Sequence, residues 1–228
     1  DMVRQAFRVA VSGGPGPVHL QFRGNEGQLD LEELDFDGIV EAQFARVPPF
    51  RPEPDAASIR AALALLQAAK QPVIVAGGGV RASDAARELV ALAEKLQIPV
   101  ATSLNAKDAI AADHPLSVGV VGTYSRESAN RVVAQADLVF FVGTEAGGMT
   151  THFWAVPKIG TPAIQIDIDP EALGRNYPLL AAANGDAKIT LARMRNEADR
   201  SGAAKRKNWI AEVQAICGEW QKKYQSAL

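Results

Sequence analysis

The sequence predicts an α/β protein: a doubly wound, Rossmann-like parallel sheet of five or six strands with helices on both faces. Two patterns predict it. Short, continuously apolar runs recur along the middle of the chain, as expected of strands that helices cover on both sides. Amphipathic helical stripes separate these runs, and the first two runs begin 27 residues apart, at Val73 and Val100. That period suits a strand–helix–strand unit of a parallel sheet.

Residues 1–24 are predicted to hold one helix and one strand without a domain around them. Apolar residues recur at helical spacing from Val3 to Val11, and the glycines at 13, 14 and 16 end the helix before the apolar run at 18–22. Residues 25–54 are acidic and then rich in proline, with little periodicity, which predicts an extended linker. We place a domain boundary near Asp55.

Residues 55–195 carry the regular pattern of the predicted α/β domain. One helical stripe, from Ile59 to Leu66, ends before Pro72, and the β-branched run 73–75 follows. A second stripe, marked by Leu89 and Leu96, ends before a strand predicted at 100–103. Further strands are predicted at 118–121, 138–142 and 163–168.

Residues 196–228 are predicted to form a long helix. Five apolar residues at steps of three or four share one of its faces: Trp209, Val213, Ile216, Trp220 and Tyr224. We expect this face to dock onto its own domain or onto a neighbouring one.

Composition excludes several classes of function. The chain has 24 Lys and Arg residues against 26 Asp and Glu residues, and these charges are scattered, so neither nucleic acid nor a membrane surface is expected as a partner. No apolar run approaches the roughly 20 residues that cross a bilayer. A single cysteine, Cys217, excludes an internal disulfide and suits a reducing compartment, so we expect the cytoplasm.

Because the sequence starts at Asp1 inside a predicted helix, we expect a piece of a longer protein.

The turn after the first strand of the predicted domain is the first candidate site, because ligands bind beyond the carboxyl ends of strands in such sheets. Gly77, Gly79 and Ala82 fit the spacing G-x-G-x-x-G/A, and together with Gly78 they would let a phosphate approach unpaired N–H groups at a helix N-terminus. The alternative interpretation is that these glycines only form a tight turn between strand and helix.

Other strand ends add polar candidates. The second strand ends in Ser103 and Leu104, where NAD would require an acidic residue for its ribose. Gly143 and Thr144 follow a later strand, and the carboxylate of Asp167 could accept hydrogen bonds from ribose hydroxyls. The predicted ligand-binding residues are therefore Gly77, Gly78, Gly79, Ser103, Leu104, Gly143, Thr144 and Asp167.

Neither a catalytic residue nor a metal ligand is predicted. Asp169 precedes a proline and is better explained as the N-cap of a short helix around 171–174, and Asp186 is expected in a loop before the next helix. The three histidines, the lone cysteine and the serines form no metal-ligand spacing, no Cys/His pair and no G-x-S-x-G motif. The histidines concerned are His19, His114 and His152.

The run AKQPVIVAGGGV at 69–80 resembles a hallmark of thiamine-diphosphate-dependent enzymes related to acetolactate synthase, pyruvate oxidase and benzoylformate decarboxylase. Further segments follow in that family's order: IPVAT at 98–102, DHPL at 113–116, ADL at 136–138, and IDIDP at 166–170 with GRN at 174–176. The resemblance implies the central domain at 55–195, the tail of a pyrimidine-binding domain at 1–24, and a helical lead into a pyrophosphate-binding domain at 196–228.

The resemblance also implies where the chemistry is done. In this family a Glu of the N-terminal domain activates the thiazolium of thiamine diphosphate, and a Gly-Asp-Gly motif of the C-terminal domain holds Mg²⁺. The sequence Gly185-Asp186-Ala187 is not that motif. The chain by itself is therefore expected to be inactive, as one part of a homo-oligomer, dimer or tetramer, that acts on 2-oxo acids.

In flavin-binding relatives the central domain holds FAD, whereas other relatives bind ADP or nothing there. The Gly77 to Gly79 loop, Ser103, Leu104, Gly143 and Asp167 are retained here, but Gly14 and Glu145 stand where flavin-binding members commonly carry Arg. Losing two cations should weaken a pyrophosphate contact. Two further hypotheses stay open beside the enzyme component: a module that binds an adenine nucleotide (FAD, ADP or NAD), and a scaffold that only joins its neighbouring domains.

Overall fold

A computed structural model describes residues 2–21, 38–200 and 202–225. The contacts between residues divide the chain into two compact units, residues 1–50 and residues 51–228. Each unit is described by itself.

The first unit contains helix α1 (Met2–Val11) and a short 3-10 turn at Ala42–Ala45. Arg8 forms an ion pair with Glu41, and its guanidinium lies over the ring of Phe44, 5.4 Å from the ring centroid. The strand predicted at 18–22 is not formed at residues 18–21, which pair with no described strand, and residue 22 lies outside the described residues. An extended segment becomes a strand only when it finds a partner.

The second unit holds a six-stranded parallel sheet. Its strands are β1 (Pro72–Ala76), β2 (Val100–Thr102), β3 (Ser117–Val120), β4 (Leu138–Val142), β5 (Ala163–Asp167) and β6 (Ala181–Asn184). Their order across the sheet is β3-β2-β1-β4-β5-β6, and every pair is parallel. This is the doubly wound order of Rossmann-like folds. The predicted fold class is confirmed.

Helices cover both faces of the sheet. They are α2 (Ala56–Ala68), α3 (Gly78–Ala82), α4 (Ala86–Leu96), α5 (Glu127–Gln135), α6 (Ala187–Glu197) and α7 (Lys207–Gln225). Alternate strand residues enter two separate cores: Ile74 and Phe140 pack with α2, α4 and α6, whereas Val73 and Phe141 pack with α5 and α7. Because successive strand side chains point to opposite faces, a strand buried on both sides is apolar throughout.

Two parts of the second unit differ from the sequence expectations. Strand β6 was not among the strands predicted by apolar runs. The short helix expected around 171–174 is a series of turns, in which the Asp169 carboxylate accepts a hydrogen bond from the N–H of Glu171 at 2.9 Å. Asp169 therefore caps a turn instead of a helix, because the following residues do not continue with helical hydrogen bonds.

Helix α7 docks onto its own unit. The buried side chains of Trp209, Val213 and Ile216 join the core formed with α5. Trp220 lies under the guanidinium of Arg126, whose central carbon is 4.9 Å from the ring centroid, and Tyr224 stacks on Trp220 at the more exposed end. Of the two expected docking partners, the helix uses its own domain.

Candidate functional site at the carboxyl edge of the sheet

The eight predicted residues lie at the carboxyl ends of four neighbouring strands, β2, β1, β4 and β5. In this order the chain connections diverge on either side of β1 and β4, and ligands of doubly wound folds bind at such a switch point. The predicted residues are thus brought to one edge, although they span 91 positions from Gly77 to Asp167, counted inclusively.

Gly77 and Gly79 are fixed by close packing against the turn after β4. A Cβ on Gly79 would lie 2.7 Å from the Cα of Gly143, and a Cβ on Gly77 would lie 2.3 Å from the Cβ of Thr144. Gly143 itself has a φ of +58°, in the left-handed region that favours glycine. The two strand-end turns meet at distances that only glycine allows.

The expectation of unpaired N–H groups at this turn is wrong for two of the three glycines. The N–H of Gly77 donates to the carbonyl of Val142 at 2.8 Å, and the N–H of Gly79 donates to the carbonyl of Gly143 at 2.9 Å. Helix α3, which follows, has only five residues, so its dipole is small. The tight-turn interpretation therefore accounts for Gly77 and Gly79.

Gly78 is the position of this turn that stays open. The nearest atom to a Cβ built on it is the Cβ of Asn105, at 3.6 Å, which is an ordinary contact distance. A ligand that approached this turn would meet Gly78 and Asn105. Asn105 lies in the 3-10 turn Leu104–Ala106 and was not among the predicted binding residues.

Ser103 contributes a buried hydroxyl that has no hydrogen-bond partner among the described residues. The residue is 7% exposed, and its N–H donates to the carbonyl of Ala76, at the end of β1, at 2.8 Å. Thr123, in the loop after β3, has a second buried hydroxyl oxygen without a described partner. Buried polar groups are normally hydrogen-bonded, so these two hydroxyls, like Oε2 of Glu88 and Nε1 of Trp220 elsewhere in the domain, could be satisfied by a ligand or by water. Leu104 is mostly exposed.

Thr144 is held by a glutamine that the sequence interpretation missed. The side-chain amide of Gln165, buried within β5, donates to the carbonyls of Thr144 and Ala172, each at 3.0 Å, and its oxygen accepts the N–H of Gly174 at 3.0 Å. Gln165 thereby joins the turns after β4 and β5. A polar residue inside an otherwise apolar strand is the signal that could have revealed it.

Asp167 lies at the end of β5 and is 9% exposed. Its carboxylate accepts the N–H of Asp169 at 3.0 Å. Burial raises the pKa of the Asp167 carboxyl, and the negative charges of Asp169 and Glu145 raise this pKa further. A buried carboxyl with few partners is suited to accept hydrogen bonds from hydroxyl groups of a ligand.

Arg175, a residue outside the predicted set, places a positive charge at the rim of the site. The guanidinium of Arg175 lies 3.9 Å from the Glu145 carboxylate, and both side chains are exposed. The side chain of Asn176 donates to the carbonyl of Glu145 at 2.7 Å. The negative charge introduced by Glu145 is therefore partly balanced.

Asp186 belongs to the scaffold of the domain. As the N-cap of α6 it accepts the N–H of Ile189 at 3.1 Å, and its carboxylate also accepts the Ser83 hydroxyl at 2.6 Å and the Arg51 guanidinium at 2.9 Å. Gly185 lies against Pro54, whose Cδ would be 2.5 Å from a Cβ on that glycine. These contacts use the carboxylate fully.

Groups for metal binding or nucleophilic catalysis do not gather at this edge. Within residues 2–21, 38–200 and 202–225, no three His, Cys, Asp or Glu side chains are placed to hold a metal ion. Burial raises the pKa of the Cys217 thiol, which disfavours a reactive thiolate.

A shallow groove between α4 and residues 108–111 is lined by none of the eight predicted residues. No helix in the described part of the chain is both long and apolar enough to span a bilayer.

Comparison with known proteins adds a family context to this geometry. The family model described as "Thiamine pyrophosphate enzyme, central domain" matches residues 59–194. A probable acetolactate synthase large subunit from Methanocaldococcus jannaschii is 35% identical over 199 residues, which cover 84% of this chain and 32% of that protein. A probable 2-ketoarginine decarboxylase from Pseudomonas aeruginosa is 34% identical over 236 residues, covering 100% of this chain and 40% of that protein.

A solved structure, described as a thiamin diphosphate-dependent enzyme from Mycobacterium smegmatis, superposes with a TM-score of 0.53 at 30% identity. The match covers 66% of this chain and 29% of that one. The chain spans about a third of the length of the first curated relatives it matches, 32% for each of two.

Proposed function

Since this chain belongs to the family of thiamine pyrophosphate enzymes, as their central domain, we propose that it serves an enzyme that forms or cleaves a carbon–carbon bond beside the carbonyl of a 2-oxo acid. The observation that carries the proposal is the family match across residues 59–194, which includes all six strands of the sheet. The names of the relatives, a probable synthase and a probable decarboxylase, support this class of reaction without selecting one of its members.

The described residues do not fit the diphosphate–Mg²⁺ site of such an enzyme. None of their acidic and histidine side chains gather in the number a metal site requires. We therefore propose that thiamine diphosphate and Mg²⁺ are held by other domains of the protein. Thiamine diphosphate supplies the carbanion chemistry when it is bound. The domain described here would position the neighbouring domains and support the contacts between subunits.

An adenine nucleotide at the carboxyl edge is the second candidate, and it concerns the role of this domain alone. Three features support it: the open position Gly78, the unpartnered hydroxyl of Ser103, and the buried carboxyl of Asp167. The N–H groups of Gly77 and Gly79 are already used, so the phosphates would depend on Gly78 and on side chains. ADP is expected to bind at least as readily as FAD.

The cellular setting is proposed on the same basis. The single, half-buried cysteine suits a reducing cytoplasm, and scattered charges of both signs give no surface for nucleic acid. A homo-oligomer, dimer or tetramer, would bring the domains of neighbouring subunits together.

Activity assays test the first proposal. The 228-residue chain, given pyruvate, thiamine diphosphate and Mg²⁺, is expected to show no turnover above a protein-free control. A version extended with the coding sequence on both sides is expected to convert a 2-oxo acid. Turnover by the chain alone, or no turnover of any 2-oxo acid by the extended protein, contradicts the proposal.

Calorimetric titration tests the nucleotide. ADP, FAD and NAD are titrated into the chain and into the variant Gly78→Val, which blocks the open position. Gly218→Val serves as the control, because Gly218 also has open space around it but lies on α7. Nucleotide affinity that survives Gly78→Val would place the site elsewhere, and no affinity for any of the three would leave the scaffold role.

A further inference from the structure

Arg206 is a fully buried arginine located between the α/β domain and α7. It ends the 3-10 turn Ala203–Arg206, directly before α7 begins at Lys207, and its exposed fraction is 0%. Its guanidinium donates to three backbone carbonyls, those of Leu66, Ala69 and Leu96, with 3.2 Å between its Nε and the oxygen of Ala69. The arginine thus contacts the ends of two other helices.

These carbonyls are the ones that helices leave unpaired. Leu66 and Ala69 lie at the C-terminus of α2, and Leu96 is the last residue of α4. The final carbonyls of a helix have no partner within it and carry the negative end of its dipole, so they attract a cation. One planar guanidinium offers five donors in fixed directions and satisfies both helix ends together.

The hydrogen bonds that Arg206 makes to the described residues all go to carbonyls and none to a carboxylate. A buried charge of this kind is costly to desolvate, and its partners repay the cost only in part. Such a group contributes little net stability compared with an apolar residue of similar volume. It can instead specify one relative position of the helices, because the guanidinium reaches its three acceptors in only one arrangement.

Two neighbouring contacts favour that single arrangement. A Cβ on Gly202 would lie 3.1 Å from Nη2 of Arg206 and 3.1 Å from the carbonyl of Gln67, so a side chain at this position would press on the guanidinium and on the end of α2. Three residues after Arg206, the indole N–H of the buried Trp209 donates to the carbonyl of Pro72, at the start of β1, at 3.0 Å.

We propose that Arg206 is a conformational lock that fixes the position and register of α7 on the α/β domain by joining the first turn before α7 to the C-terminal ends of α2 and α4. Without it, α7 would keep its apolar contacts with α5 but would sample more than one register. The lock does not depend on which reaction the protein catalyses.

Hydrogen exchange of the 228-residue chain tests the lock, with Arg206→Met as the variant because methionine fills similar space without donors. The amides of α7 are expected to exchange at least about tenfold faster, while those of β1 and β4 keep their rates. Arg195→Met, on α6, is the control for removing an arginine, because the side chain of Arg195 is hydrogen-bonded only to the adjacent Asn196 among the described residues. Unchanged exchange in α7 overturns the proposal.

Equal acceleration in α7, β1 and β4 also overturns it, because that result means a general loss of stability. Should Arg206→Met fail to fold, Arg206→Lys decides instead, since it keeps the positive charge but loses the planar set of donors that reaches three carbonyls. Faster exchange confined to α7 in that variant supports the lock, and unchanged exchange contradicts it.

Discussion

Gly79 and Gly143 face each other across the ends of β1 and β4, so closely that a Cβ on Gly79 would lie 2.7 Å from the Cα of Gly143. The N–H of Gly79 donates to the carbonyl of Gly143 in the same contact, at 2.9 Å. The turns at the switch point are therefore joined directly. Any ligand at this edge lies over the joined turns instead of between them.

Gly79→Ala is expected to destabilise the domain by about 1–3 kcal/mol, the usual cost of forcing a methyl group into a packed interior. Gly78→Ala, one residue away, adds the same methyl group where the nearest neighbour is at 3.6 Å, and should change stability by less than about 1 kcal/mol. Urea unfolding followed by circular dichroism measures both. Equal midpoints for the two variants would mean that the contact between the turns is not tight.

Arg51→Met is expected to destabilise the domain because it leaves the Asp186 carboxylate buried without its cation. Asp186 is 1% exposed and Arg51 31%, so the loss should be roughly 2–3 kcal/mol, below that of a fully buried pair. A double-mutant cycle with Asp186→Asn measures the coupling. The exposed pair Arg131 and Glu219 is the control, and its coupling should be below about 1 kcal/mol. Equal couplings for the two pairs would contradict this account.

Asp167→Asn is expected to stabilise the fold at pH 7. Burial raises the pKa of Asp167 in the folded state, so the folded protein binds this proton more readily than the unfolded chain does. The stability that Asp167 contributes is then present below its unfolded pKa and is lost as the pH rises through the folded pKa. Asparagine keeps the acceptor for the N–H of Asp169 and never ionises.

The measurement is the difference in unfolding free energy between Asp167→Asn and wild type across the acidic range. This difference should shrink as the pH falls through the raised pKa of the folded state towards about 4, and should stay constant at lower pH, where Asp167 is protonated in both states. Asp113→Asn, which removes an exposed carboxylate, should show no such trend. A variant less stable than wild type at pH 7 would mean that the charge of Asp167 is favourable to the fold.

Strands could be predicted from the sequence where burial on both faces demands apolar residues. β1 and β4 are such strands, and their predicted limits differ from the observed ones by at most one residue at each end. β6 could not be predicted in this way, because Ala181–Asn184 contains three alanines and one asparagine, which have low strand propensity. It becomes a strand by pairing with β5, a contact that local sequence does not encode.

The candidate site was predictable as a set of strand ends but not as a set of contacts. Knowing that Gly77 and Gly143 follow apolar runs places both at one edge, since parallel strands end on the same side. At this turn the N–H groups donate to carbonyls at the end of β4. This pairing joins residues 77 and 143, which are 66 positions apart, so the local sequence could not reveal it. The unpartnered hydroxyl of Ser103 is likewise invisible until its neighbours are known.

Ser103→Ala and Ser83→Ala are the same substitution at two buried serines, and they are expected to have opposite effects. The Ser83 hydroxyl donates to Asp186 at 2.6 Å and accepts from Lys188 N–H at 3.1 Å, so its removal leaves partners unsatisfied and should cost about 1–3 kcal/mol. The Ser103 hydroxyl has no partner among the described residues, so its removal should leave stability unchanged or raise it by about 1 kcal/mol.

A hydroxyl kept at a cost to stability is what a binding site would require. If the carboxyl edge binds a nucleotide, Ser103→Ala should weaken that binding severalfold while the free protein becomes no less stable, and the thermal shift produced by ADP should shrink accordingly. Thermal unfolding with and without ADP measures both quantities in one experiment. A destabilised Ser103→Ala protein would show that the hydroxyl has a partner within the fold, and the argument for a ligand at Ser103 would then fail.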